Sequence, residues 1–172
     1  MLALVLVCLA ATEPGAQSLS PTDPTHTGPW YEPGAPETAS LWHPGDPGTP
    51  LLLHGLVLGT DGVPLAGALV ELWHTDGAGS YPPLRASLRT KGDGSFQIRT
   101  VLPGHNRGYR ARHIHFVVTH PRHHQLVTRV YFKGDPNMDE APFPQLAILL
   151  EEANVDGDLR LYASPQFVLS PL

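Results

Sequence analysis

The chain has 172 residues, 11 Lys+Arg against 16 Asp+Glu and a formal net charge of -5. That length suits one domain with one core, and so few basic residues argue against a nucleic-acid partner, whose phosphates need a basic stripe. With 17 Gly and 19 Pro, about a fifth of the chain resists helix, whereas 41% hydrophobic residues are enough to fill a core, so long helices and wholesale disorder are both excluded.

Met1 to Ala10 reads MLALVLVCLA, an apolar run of the length of an export-signal core, followed by the small residues Ala11, Gly15 and Ala16. It lacks a basic start. Residues 1–17 therefore read as a truncated signal segment, which predicts a secreted or periplasmic protein and otherwise a cytoplasmic one. Ten apolar residues are too few for a membrane span, because a hydrocarbon core is about 30 Å thick. Cys8 is the single cysteine, which rules out an internal disulfide and a CxxC motif, so any metal must take nitrogen or oxygen ligands.

Residues 18–49 are rich in Pro, Gly, Ser and Thr, with Trp30, Tyr31 and Trp42 set among them. This composition predicts an irregular, extended segment pinned by its aromatics to the domain of residues 50–172. Past Thr49, short apolar runs alternate with turn signals, the pattern of an all-β sandwich. Strands are expected at Leu51–Leu58, Ala68–Trp73, Arg112–Thr119 and Leu126–Phe132, with a closing strand through Phe167 and Leu169. Asp93-Gly94 predicts a hairpin spanning Arg89–Arg99. Gln145–Asn154 is the one segment expected to be a short helix.

Ten histidines are the compositional excess, and several fall between His105 and His124. In a strand, alternate side chains share a face, so His113 and His115 project together, about 7 Å apart, and can converge on one metal. Tyr81 lies in the loop Gly79-Ser80-Tyr81-Pro82, from which a phenol can reach a cavity. Trp73 and His74 precede that loop and are expected along the cavity wall. His120, His123 and His124 read as solvated loop histidines.

Five segments in order carry a family resemblance: GPWY at Gly28–Tyr31, GTPLLLHGLVLGTDGVPLAGALVELWHTDGAGSY at Gly48–Tyr81, GDGSFQIRTVLPG at Gly92–Gly104, YRARHIHFVVT from Tyr109, and LVTRVYFKGDP ending at Pro136. From Gly28 to Leu169 the chain resembles the intradiol ring-cleavage dioxygenases, which include catechol, hydroxyquinol and protocatechuate enzymes. The resemblance implies a prealbumin-like β-sandwich that binds a small aromatic diol and O2 at a non-haem Fe(III) and yields a cis,cis-muconate-type diacid. It also implies that Tyr81, His113 and His115 ligate the iron and that Arg110 stabilises negative charge on the substrate. An anionic tyrosinate favours Fe(III), and neutral imidazoles leave positions for a bidentate catecholate.

Two departures from the family pattern stand out. The family's axial tyrosine has no counterpart at its expected place in Pro103-Gly104-His105-Asn106-Arg107-Gly108-Tyr109-Arg110, which leaves Tyr109 or His105 as candidate fourth ligand and Tyr109 as candidate catalytic base. Arg129 stands where many members carry glutamine; with Trp73 it is a candidate substrate contact, and either meets an acidic substrate or points outward to a carboxylate. The missing axial tyrosine is also compatible with a metal-binding member of weak activity. The turn pattern from Gly55 fits a non-catalytic prealbumin-like binding module as well. The sheet edges leave room for a homo-oligomer.

Overall fold

A computed structural model describes residues 18–155 and 158–172. The expected signal segment over 1–17, with Cys8, lies outside the described residues, as does Asp156-Gly157. Ten strands run in chain order: β1 (Pro50–Gly59), β2 (Leu69–His74), β3 (Leu84–Arg89), β4 (Ser95–Val101), β5 (His113–Thr119), β6 (Leu126–Phe132), β7 (Ala147–Ile148), β8 (Glu151–Val155), β9 (Asp158–Ala163) and β10 (Gln166–Leu169). The fold is all-β. One five-stranded sheet has the order β3-β2-β5-β6-β7; the other has β1 at its centre, paired with β4 on one side and with β9 and β10 on the other, and β8 beyond β9.

Strand alternation explains how two sheets make one core. Leu51, Leu53 and Val57 of β1, Phe96 and Ile98 of β4 and Phe167 of β10 meet Leu72 of β2, Ile114 and Phe116 of β5 and Val130 of β6 in one apolar cluster. The Phe116 and Phe167 rings, one from each sheet, lie 4.8 Å apart. Gly55 is dictated by packing: the Phe96 ring lies where a Cβ would stand. The odd-numbered residues His113, His115, Arg129 and Tyr131 therefore point away from this core, onto the outer face of the β2-β5-β6 sheet, in the register His113 opposite Tyr131 and His115 opposite Arg129.

That outer face is covered by the N-terminal segment, which is irregular apart from isolated bridges of Glu37 with Ser87 and Ser40 with Arg99. On that face the Tyr31 hydroxyl donates to Glu71 Oε2 at 3.3 Å and Arg85 pairs with Glu32, while on the core side of β6 the Thr128 hydroxyl donates to Asp23 O at 2.9 Å. Tyr31 also packs on Trp73, ring centroids 4.9 Å apart.

Two expectations are corrected. The Asp93-Gly94 turn forms, with Gly94 at φ 74 and its N–H donating to Lys91 O at 3.0 Å, but it does not close a hairpin. β3 pairs with β2 and β4 with β1, so the turn is a corner between sheets. Turn chemistry reverses the chain; the seven-residue ladder to β1, with Phe96 and Ile98 entering the core, selects the partner. The helix expected over Gln145–Asn154 is absent as well. Pro144–Leu146 makes one 3₁₀ turn, then β7 joins β6 and β8 joins β9. Ten residues make a marginal helix, and two sheet edges offer the same backbone groups ready partners. Among the described residues no helix is long and apolar enough to cross a membrane.

Candidate metal and substrate site

One cavity of about 100 Å³ on the outer sheet face is lined by Tyr81, Arg110, His113, His115, Trp73 and Arg129. These six come from the β2–β3 loop, the segment before β5, and strands β5, β2 and β6. His26, Trp30 and Arg107 are among the other lining residues. Wider grooves of about 690 and 460 Å³ exist elsewhere, yet no histidine lines either of them.

Stacking sets the geometry. Trp73 lies opposite His115 in register and stacks on it at 4.8 Å with 4° between the planes. The His115 ring meets His113 edge-on at 4.9 Å. Trp30, from the covering segment, stacks on Tyr81 at 4.5 Å. The two imidazoles and the phenol are thus each held by an aromatic neighbour or by backbone.

The donor chemistry suits a metal. His113 Nδ1 lies 2.8 Å from Ala111 O, so it carries the proton and leaves the Nε2 lone pair free. His115 Nδ1 is buried without a hydrogen-bond partner among the described residues. Burial, then the neighbouring His113 and Arg129, pushes His115 down to about 2, and burial likewise lowers His113, so both rings are neutral, as a metal ligand requires. Burial raises the Tyr81 phenol against the opposing charges of Arg110 and Arg129, so the phenol keeps its proton until a stronger cation draws it off. No group of three or more His, Cys, Asp or Glu side chains that could hold a metal occurs among the described residues; beside the two imidazoles the cavity offers the Tyr81 phenol as a further donor.

The candidates for a fourth donor lie elsewhere. His105 donates through Nε2 to Asp135 Oδ2 at 3.0 Å, where Arg112 also binds. Tyr109 is 48% exposed, and its phenol is lowered by hydrogen bonding to Arg110 and Arg107 rather than by the cavity. Nor does His74 reach the wall: as an even-numbered residue of β2 it points into the core, giving Nδ1–H to Thr75 O at 2.6 Å and accepting from the Thr100 hydroxyl at 2.8 Å. His120 is buried and bonded to His123, Nδ1 to Nδ1 at 2.9 Å, so it is not a solvated loop histidine, whereas His123 is partly exposed and His124 exposed. Tyr131, 5.7 Å from His113 between ring centroids, has a buried hydroxyl without a partner. Strand alternation in LVTRVYF signalled it; nothing in the sequence signalled His26 or Arg107.

The Dioxygenase_C family model, described as Dioxygenase, matches residues 26–154. This span holds every cavity-lining residue. The chain belongs to the intradiol ring-cleavage dioxygenase family. Its curated relatives include catechol 1,2-dioxygenase 2 of Acinetobacter lwoffii, 37% identical over 67% of the chain and 52% of the relative. The 6-chlorohydroxyquinol 1,2-dioxygenase of Cupriavidus pinatubonensis is 33% identical over 87% of the chain and 65% of the relative. This intradiol family member thus spans about half to two thirds of those relatives' length. Among solved structures it is similar to 3-chlorocatechol 1,2-dioxygenase from Rhodococcus opacus, with TM-score 0.81 and 25% identity over 91% of the chain and 75% of the other. It is also similar to the dioxygenase domain of a dioxygenase carbohydrate-binding protein fusion from Streptomyces sp. SirexAA-E, with TM-score 0.78 and 33% identity over 89% of the chain and all of the other.

Proposed function

We propose that this chain is an oxidoreductase that cleaves a catechol-type diol between its hydroxyls with O2, on a prealbumin-like β-sandwich. The observation that carries the reading is the convergence of Tyr81, His113, His115 and Arg110 on one cavity. Tyr81, His113 and His115 would hold a ferric ion. That ion supplies chelation of the diol and the electron transfer that lets the ring react with oxygen.

The protein's own residues supply the rest. Ala111 O orients His113 through its Nδ1 proton, and the Trp73 stack fixes the plane of His115, so both ligands are preorganised. Arg110 places its charge at the cavity, where it favours a deprotonated phenol on Tyr81 and negative charge on a bound ring. Trp73 and Trp30 flank the histidine and the tyrosine with apolar surface that limits water.

The test is a visible spectrum of iron-loaded protein, repeated with catechol in the absence of oxygen, followed by aeration and a search for the ring-opened diacid. A tyrosinate charge-transfer band that moves with catechol, then product, is expected. Colourless protein that holds no iron overturns the reading. A second reading, a metal-holding member with weak turnover, is favoured by the placement of His105 and Tyr109 outside the cavity; it gives the band and its shift but little product.

A further inference from the structure

Arg129 is one of the most deeply buried charged residues among those described, 4% exposed, and it lines the cavity. A guanidinium removed from water normally has a carboxylate beside it, because burying an uncompensated cation costs several kcal/mol. Among the described residues no carboxylate pairs with Arg129. Its Nη2 donates to His26 O at 3.0 Å and to the His26 ring Nε2 at 3.4 Å, Nε reaches the Thr25 hydroxyl at 3.4 Å, and the guanidinium carbon lies 5.5 Å from the centre of the Phe143 ring. Asp23, on the same covering segment, accepts instead from Gln145 at 3.0 Å. Nor does the wall of the cavity, among the described residues, supply negative charge. His113 and His115 are neutral, and the other charged groups on the wall, Arg107 and Arg110, are also cations.

The charge is therefore built for something that arrives. Arg129 stands directly opposite His115 on the neighbouring strand, at a cross-strand spacing of about 5 Å, roughly the width of an aromatic ring. A ring bound in the cavity beside the two histidines can present a further substituent to Arg129. A guanidinium binds a carboxylate with two parallel hydrogen bonds, which neither a glutamine nor a neutral ring position can match.

We infer that Arg129 selects for catechols whose ring carries an additional acidic group, a carboxylate above all. The inference rests on the catechol-cleaving reading for turnover, but ligand selectivity can be measured without it. Wild type, Arg129→Gln and Arg129→Lys are compared in two ways. Trp30 and Trp73 line the cavity, so quenching of tryptophan fluorescence reports binding of 4-hydroxybenzoate and of phenol. Wild type should favour 4-hydroxybenzoate by about tenfold or more, Arg129→Gln should abolish the preference, and Arg129→Lys should keep part of it. On iron-loaded protein, Arg129→Gln should lower kcat/KM for 3,4-dihydroxybenzoate about 10–100-fold more than for catechol.

Equal binding of the two probes by wild type, binding of neither, or a preference that survives in an Arg129→Gln protein with wild-type melting overturns the inference. Should Arg129→Gln fail to fold, wild type and Arg129→Lys still decide it. If neither diol is cleaved and iron is not retained, the dioxygenase reading falls, and the fluorescence preference still decides the role of Arg129.

Discussion

The β5 segment carries a pair of histidines at each end, and the two pairs share one ring separation: 4.9 Å between His113 and His115, and 4.9 Å between His120 and His123. They differ in what becomes of the nitrogens. At the far end the two Nδ1 atoms bond to each other, and the turn they close holds the C-terminus, through His124 N–H to Ser170 O at 2.9 Å and Leu172 N–H to Arg122 O at 3.2 Å. At the near end His113 uses only Nδ1, His115 leaves Nδ1 without a partner among the described residues, and a phenol and three arginines share the same cavity. Ring proximity alone does not leave a nitrogen free for a ligand; that depends on what the nitrogens already bond to.

The sharpest way to break this comparison is to delete one member of each pair. His115→Ala and Tyr81→Phe should each lower catechol cleavage by at least about 100-fold and remove or strongly weaken the visible band, while His120→Ala leaves both unchanged. Oxygen uptake and absorbance of iron-loaded protein check it, and equal losses in all three variants would erase the distinction between the two ends.

A third histidine sharpens it through pH. Burial, only partly offset by the bond to Thr75, lowers His74 from 6.5 to about 4. The unfolded chain therefore takes up a proton first: stability from this group is full above about pH 6.5 and drains as pH falls toward 4, by about 3 kcal/mol in all. Denaturant unfolding at pH 7 and pH 5 should show the loss in wild type and a smaller one in His74→Asn.

Asp135 gives a similar-sized or smaller effect on the loop before β5. Burial raises its carboxyl, but hydrogen bonds from the Asn137 N–H, His105 and Arg112 outweigh that and leave it below the usual carboxylate range. Its contribution is present above the ordinary carboxylate pKa and lost as pH falls through the folded value. Asp135→Asn should cost about 2–3 kcal/mol at pH 7, read from denaturant midpoints, and the deficit should shrink in acid. The smallest effect is expected of Tyr109→Phe. With the ring exposed, neither the melting temperature nor the visible band should change, and an altered band would bring Tyr109 back as a ligand.

Much of this was legible in the residues themselves. The spacing His113-x-His115 determines a shared strand face because side chains alternate, and the apolar runs at Leu51–Leu58 and Leu126–Phe132 determine strands whatever they pair with. Ordered segments from Gly28 to Pro136 pointed to the family and to Tyr81 and Arg110 as site residues. Pairing partners were not legible, because they depend on which ladder and which core surface compete best at long range. Hence Asp93-Gly94 turned a corner between sheets rather than closing a hairpin, and residues 145–154 joined two sheet edges instead of coiling. The partners of polar atoms were equally hidden. Only the assembled sheets decided that His74 and His120 are bonded inside the fold, that His105 is held by Asp135, and that Arg129 is buried against the covering segment with no carboxylate partner among the described residues. Local periodicity sets the direction in which a side chain leaves the backbone, whereas what it meets there is set by residues tens of positions away in the chain.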